Sequence, residues 1–123
     1  MSTPNPFPDI PVTVAQIIRQ AGHKAYQRGL AYARQREVVR YTYDEDENTL
    51  EGLVNGSTPI PYEVGIRFFP DSDADSNLFN ARCTCPVAAD CKHAVALMLT
   101  ALDRAKTARK ALDNAPGDRI RQS

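Results

Sequence analysis

The stretch Cys83-Thr84-Cys85-Pro86-Val87-Ala88-Ala89-Asp90-Cys91-Lys92-His93 holds all three cysteines of the chain and one of its two histidines. Its pattern is C-x-C-x5-C-x-H. Four soft or borderline donors so close together form a metal-ligand set, and Cys3His is one of the ordinary tetrahedral zinc sets. The spacing also dictates local structure. Cys83 and Cys85 are two residues apart, so on extended backbone both thiols point to the same side. Cys91 and His93 have the same separation, but residues so spaced within a helix face nearly opposite directions. Cys91 therefore precedes or caps a helix whose first turn carries His93. Asp90 suits the cap, Pro86 forbids an earlier helix, and Ala94 to Ala105 is strongly helical. The ligands fall at the seam between a strand and a helix.

Other readings of the three thiols compete with zinc. A disulfide leaves one thiol over, and Cys83 and Cys85 are too close in sequence for an easy bridge. A catalytic Cys-His pair has no need of three clustered cysteines. An iron–sulfur cluster can take these ligands, although full thiolate sets are its usual choice. Inert buried cysteines give no reason for the clustering. One structural zinc, held by Cys83, Cys85, Cys91 and His93, accounts for the pattern best. The centre then carries a net single negative charge, which Arg82 and Lys92, each next to a ligand, are placed to offset.

Outward from this seam the hydrophobic period organises the chain. Thr13-x-x-Gln16 reads as a capping box opening a short helix through Val14, Ile17 and Ile18 that Gly22 stops. A second helix runs from about His23 to Gln35 with Tyr26, Leu30 and Ala33 as its stripe. The period then changes to two. Val39, Tyr41 and Tyr43 alternate, an acidic turn follows at Asp44 to Asn48, and Leu50, Gly52 and Val54 resume. After Asn55-Gly56 comes the clearest alternation, through Ile60, Tyr62, Val64, Ile66 and Phe68. Residues 71–77 read as a polar loop and Leu78 to Cys83 as a short strand. The last helix spans about Cys91 to Leu112 with Ala94, Leu97, Met98, Ala101, Ala105 and Leu112 on one side. The expected fold class is α+β: a small antiparallel sheet of about four strands, N-terminal helices and a zinc-anchored C-terminal helix. Residues 1–11 read as a flexible lead, 12–112 as a single domain and 113–123 as a frayed tail. The strand residues carry enough apolar surface to pack on the second helix without the metal.

The same residues resemble a known family. C-x-C-xn-C-x-H, with a strand before it and a Cys-Lys-His opening an apolar helix, resembles the SWIM zinc finger of bacterial SWI/SNF-type helicases, Mutator-type transposases, some eukaryotic kinases and recombination accessory proteins. Arg28-Gly29, Val54-Asn55-Gly56-Ser57, Tyr62-Glu63-Val64, Cys83-Thr84-Cys85-Pro86 and Cys91-Lys92-His93 together look like the module ahead of bacterial SWI/SNF-type helicases. The resemblance covers about residues 23 to 105. It implies a zinc-binding module associated with a helicase motor. The motor's phosphate loop, G-x-x-x-x-G-K-[ST], does not occur in this sequence.

Composition bounds the rest. A chain of 123 residues with 42% hydrophobic content buries one modest core. Fifteen basic and fifteen acidic residues cancel, so any attraction to nucleic acid must come from a local patch. No apolar run approaches a membrane span, the amino end has no signal-peptide pattern, and an odd cysteine count in a metal-like cluster suits a reducing cytoplasm. His23 stands alone and reads as a surface or capping histidine. Asp44 to Glu47 lacks the glycine and spacing of an EF-hand and reads as a solvated hairpin tip.

The basic residues are segregated. Lys106, Arg109 and Lys110 lie at i, i+3 and i+4 on the last helix, and Lys24 and Arg28 at i, i+4 on the second. From Arg19 to Arg40 six positive charges face one negative, Glu37. These are the candidate phosphate contacts, Lys106, Arg109 and Lys110 leading. They can equally form a solvated face.

The expected function is a zinc-stabilised module that binds DNA or a DNA-associated protein, with no membrane and no small-molecule substrate. The rival is a metal-dependent or cysteine-based enzyme. A closed Cys3His site leaves that rival no open coordination position, and no glutamate neighbours the ligands as in zinc deaminases.

Overall fold

A computed structural model describes residues 9–56, 58–69, 78–85 and 91–113, with the side chains of Arg109 and residues 111–113 excepted. Two helices come first, α1 (Val14–Ala21) and α2 (His23–Arg34). Four strands follow, β1 (Val38–Asp44), β2 (Thr49–Val54), β3 (Tyr62–Phe68) and β4 (Phe79–Cys83), and then α3 (Lys92–Asp113). The strands form one antiparallel meander in the order β1-β2-β3-β4. The α+β class, the four strands and the terminal helix are as the sequence predicts.

Local chemistry explains the boundaries. The Gln16 N–H donates to Thr13 Oγ1 (3.2 Å) and the Thr13 N–H to Gln16 Oε1 (3.0 Å), so the capping box is complete. Gly22 ends α1 at φ 93°, a conformation that glycine adopts without strain, and its carbonyl already accepts from Tyr26 N at the start of α2. α2 ends differently. Arg36 takes φ 60°, its N–H donating to Ala33 O while that of Glu37 donates to Tyr32 O (both 3.1 Å). This is the paired hydrogen bonding that usually closes on glycine. The acidic turn is held by Asp44 Oδ1, which accepts from the N–H groups of Asp46 (2.9 Å) and Glu47 (3.2 Å).

α3 lies between the sheet and α2, so the core has two layers that share one helix. Residues 93–99 are buried on every side. Two glycines allow the approach. A Cβ on Gly29 of α2 would overlap Val95, and one on Gly52 of β2 would come within 2.8 Å of Leu97 Cδ1. The sheet therefore packs on α3, whereas the sequence pattern places it on the second helix. The apolar run Ala94 to Leu99 carries no polar side at all, and such a helix has to be covered all round.

Three further expectations change. Val39 is 49% exposed and Val38 buried, because the β1–β2 register shifts between Val38 and Arg40 and turns Val39 outward. Ile60, by its alternation the first inward residue of the third strand, is 78% exposed and precedes the strand. Ile10, within the expected flexible lead, is buried. Residues 1–8 of that lead lie outside the described residues, as do 114–123 of the tail and the side chain of Leu112.

Edge strand β4 is covered by a side chain that no sequence motif marks. Gln20 of α1 donates through Nε2 to Phe79 O (2.6 Å) and accepts at Oε1 from Leu78 N (2.8 Å) and Phe79 N (3.3 Å). Its amide stands in for the missing strand.

Candidate metal centre

Cys83 is the last residue of β4, opposite Val64 of β3. It follows Phe79 and Ala81 on the inward face, with Asn80 and Arg82 exposed between them. Thr84 prolongs this pairing by one residue. Its N–H donates to Glu63 O (3.1 Å) while its Oγ1 accepts from Glu63 N (3.0 Å). That clip holds Thr84 outward, and Cys85 consequently turns inward beside Cys83. Here is the extended two-residue spacing that the C-x-C motif requires.

Across the seam, Cys91 is the residue before α3, and its carbonyl accepts from Val95 N (3.2 Å). It occupies the cap position itself. Asp90, expected to cap, lies outside the described residues together with Pro86 to Ala89. His93 is the second residue of α3. Its Nδ1 lies 3.7 Å from Cys83 Sγ and 3.7 Å from Cys91 Sγ.

All four ligand atoms lie within 4.8 Å of one another, and all four residues are buried. A tetrahedral zinc with bonds of about 2.0–2.3 Å has ligand–ligand edges of roughly 3.6–3.8 Å. The two sulfur–nitrogen separations already match that edge, so the donor set fits zinc in kind, number and spacing.

Burial governs the protonation of the site. It pushes the Cys83 thiol well above the ordinary range, the neighbouring cysteines adding to the rise, and it raises Cys91 as well. For His93 burial acts first and adjacent Lys92 second, both lowering the pKa, so the ring is neutral and able to ligate at pH 7. A cation entering this site replaces thiol protons held against desolvation.

The charges named for the metal are placed unequally. Arg82 is exposed on the outer face of the sheet, opposite the thiols. Lys92 is half-buried, its Nζ 4.8 Å from the ring centroid of Tyr32. Neither His23, exposed and edge-on to Tyr26, nor the acidic turn joins a second group of ligands among the described residues.

Lys24, Arg28, Lys106 and Lys110 are exposed, and the side chain of Arg109 lies outside the described residues. A cleft of about 450 Å³ opens where the end of α2 meets α3, lined by Arg34, Arg36, Arg104, Asp103, Thr100 and Val38 among others. Arg104, whose guanidinium also sits 5.6 Å from the Tyr41 ring centroid, is not among the basic residues that the sequence pattern singles out. Nothing in the spacing of the sequence marks it, because the cleft forms only when α2 packs on α3.

A buried Cys3His set at a strand–helix seam defines a small zinc finger. The family comparison is more specific: residues 62–102, one third of the chain, match the SWIM zinc finger, and this segment is a SWIM zinc finger. Together the match and the donor set assign one structural zinc ion to Cys83, Cys85, Cys91 and His93. No curated protein and no solved structure matches the chain. Among the described residues, no helix is long and apolar enough to cross a membrane.

Proposed function

We infer that the chain is a zinc-stabilised interaction module without catalytic activity, and that it contacts nucleic-acid phosphates beside a SWI/SNF-type motor. The observation that carries this is the completeness of the metal shell. Four protein ligands, each nine-tenths or more buried, fill a tetrahedral zinc and leave no position for water or substrate. The metal joins the last strand to the central helix, and recognition is left to the outer surface. Along that surface, Arg34, Arg36 and Arg104 converge on the α2–α3 cleft with Asp103 as the opposing charge. Lys106 and Lys110 follow on α3. The association with a helicase rests on the sequence resemblance of residues 23 to 105, and the reading of a reducing, cytoplasmic setting rests on the thiols.

Binding to phosphates is tested with duplex DNA at low and moderate salt. Replacing Arg34, Arg36 and Arg104 with alanine, or Lys106, Arg109 and Lys110, should weaken binding to all sequences alike. For each phosphate no longer neutralised, the log–log salt dependence should flatten by about 0.9 in slope. Absence of DNA and RNA binding even at low salt would leave protein contact as the function.

The outer sheet face supports that second reading. A Cβ on Gly65, in the middle of β3, would meet nothing within 4 Å among the described residues. Around it a cavity of about 940 Å³ is bordered by Arg40 and Arg82 alongside Glu51 and Glu63. Mixed charge of this kind suits a protein surface better than a phosphate backbone.

A further inference from the structure

The imidazole of His93 has two nitrogens in unlike surroundings. Nδ1 faces the sulfurs of Cys83 and Cys91 at 3.7 Å. Nε2 is buried and, among the described residues, finds no hydrogen-bond partner. When Nδ1 gives its lone pair to a metal, the proton of the neutral ring must sit on Nε2. Metal-bound histidines ordinarily pass that proton to a carboxylate, a carbonyl or water. Two aromatic rings pack against the imidazole instead. The ring centroid of Tyr62 is 4.7 Å from that of His93, tilted by 56°, and the Tyr32 ring is 5.4 Å away and edge-on at 75°. A π-face accepts an N–H more weakly than oxygen does, but it also packs, so it holds the orientation of the imidazole by shape.

Tyr62 is itself held. It opens β3, opposite Val54 of β2, and a Cβ on Gly56 would overlap its ring. Gly56 has no left-handed φ, so the glycine is required there by space and not by backbone conformation. Tyr32 comes from α2 and carries Lys92 Nζ over its ring. The two rings thus reach the histidine from separate elements.

We propose that Tyr62, seated on Gly56 and assisted by Tyr32, is a positioning residue for the metal: it receives the Nε2 proton of His93 and thereby selects Nδ1 as the ligating nitrogen. The inference rests on the zinc site described above and concerns how that site is tuned. It makes the turn between β2 and β3, which contains no ligand, a determinant of zinc affinity.

The test uses the full chain, zinc affinity by chelator competition, and nitrogen–proton correlation of the imidazole in the zinc-loaded protein. The unmodified chain should show metal on Nδ1 and a slowly exchanging proton on Nε2, shifted upfield by the rings. Tyr62→Phe keeps the ring and should retain both the signature and most of the affinity. Tyr62→Leu should weaken zinc about 10-fold or more, the usual effect of removing a partner of a metal-bound histidine, and should return the Nε2 proton downfield with faster exchange. Gly56→Ala keeps Tyr62 but displaces its ring, and should shift both readouts in the same direction. Metal found on Nε2 in the unmodified chain would overturn the proposal. So would equal zinc affinity in the Phe and Leu variants. If Tyr62→Leu does not fold, Gly56→Ala decides: unchanged affinity with an unchanged Nε2 proton rejects the proposal.

Discussion

Gly29 of α2 and Val95 of α3 are packed so closely that a β-carbon on the glycine would overlap both Cβ and Cγ1 of the valine. This is the point at which α2 meets the central helix, two residues beyond His93. Gly29→Ala should therefore cost about 1–3 kcal/mol through overpacking, read as a lower denaturant midpoint. Val95→Ala in the same chain should restore part of that stability. Additive effects of the two substitutions would show that the residues do not touch.

Glycines in the sheet should divide by the space around them. A Cβ on Gly52 would approach Arg40 O (2.7 Å), Leu97 Cδ1 (2.8 Å) and Tyr41 Cβ (3.0 Å), whereas one on Gly65 would meet none of the described residues within 4 Å. Gly52→Ala is expected to destabilise by about 1–3 kcal/mol. Gly65→Thr should be neutral or stabilise by up to about 1 kcal/mol, because glycine is a poor strand residue. Thermal midpoints of the two variants check this contrast, and a reversed order would contradict the packing of β2 on α3.

Removal of the metal should affect both layers. Ligation supplies on the order of 10 kcal/mol in small zinc peptides, comparable to the whole stability of a domain. The sheet shares its packing helix with the metal, so Cys91→Ser or a strong chelator should raise amide exchange in β2 and β3 as well as at residues 83–100. Exchange confined to residues 83–100 would show that the sheet persists without α3 in place.

Zinc binding should tighten as pH rises. Burial holds the protons on Cys83 and Cys91 to a pH above the ordinary thiol range, so each must be expelled by the metal. Apparent log affinity should climb by about two per pH unit near neutrality from these two thiols alone. His93, its pKa lowered by burial and Lys92, is already neutral there and adds nothing to the slope. In the metal-free chain that same lowered pKa makes folding less favourable as pH falls below about 6.5, since the unfolded state binds the proton first. Chelator competition between pH 6 and 8 measures the first effect. A flat profile would mean that both thiols are ionised before zinc arrives.

Gln20→Ala should leave three backbone groups of Leu78 and Phe79 without the partner that α1 supplies. A destabilisation of about 1–3 kcal/mol is expected, the scale for unsatisfied, partly buried polar groups. Exchange of the Leu78 and Phe79 amides should rise ahead of the rest of the sheet.

The sequence revealed most where the governing physics is short-range. Thr13 and Gln16, the two-residue periods of the strands, and the contrast between Cys83-x-Cys85 and Cys91-x-His93 each follow from backbone geometry over a few residues. The metal site was legible for this reason. Long-range order was not. Nothing in the period of β1 reveals that Val38 and not Val39 turns inward, because the register shift depends on the partner strand. Gln20 looks like any polar residue on a short helix until β4 lies beside it. Gly56 and Tyr62 are among the residues that carry the resemblance, but the reason for both, a ring seated against His93, exists only after folding. The central place of α3 had a visible sign in the unbroken apolar run Ala94 to Leu99, which asks for cover on all sides.

That arrangement has a consequence during synthesis. α3 follows every other described element in chain order, yet both layers of the core are built upon it. A ribosome adding about 5–20 residues per second leaves the inward side chains of the meander, Leu50, Ile66 and Phe68 among them, bare for seconds after β3 emerges. Cys83 and Cys85 emerge toward the end of that interval with only half of their ligand set. The nascent chain therefore has a defined window of exposure to aggregation, oxidation and chaperones. The window closes when Cys91 and His93 arrive and the helix behind them enters the gap.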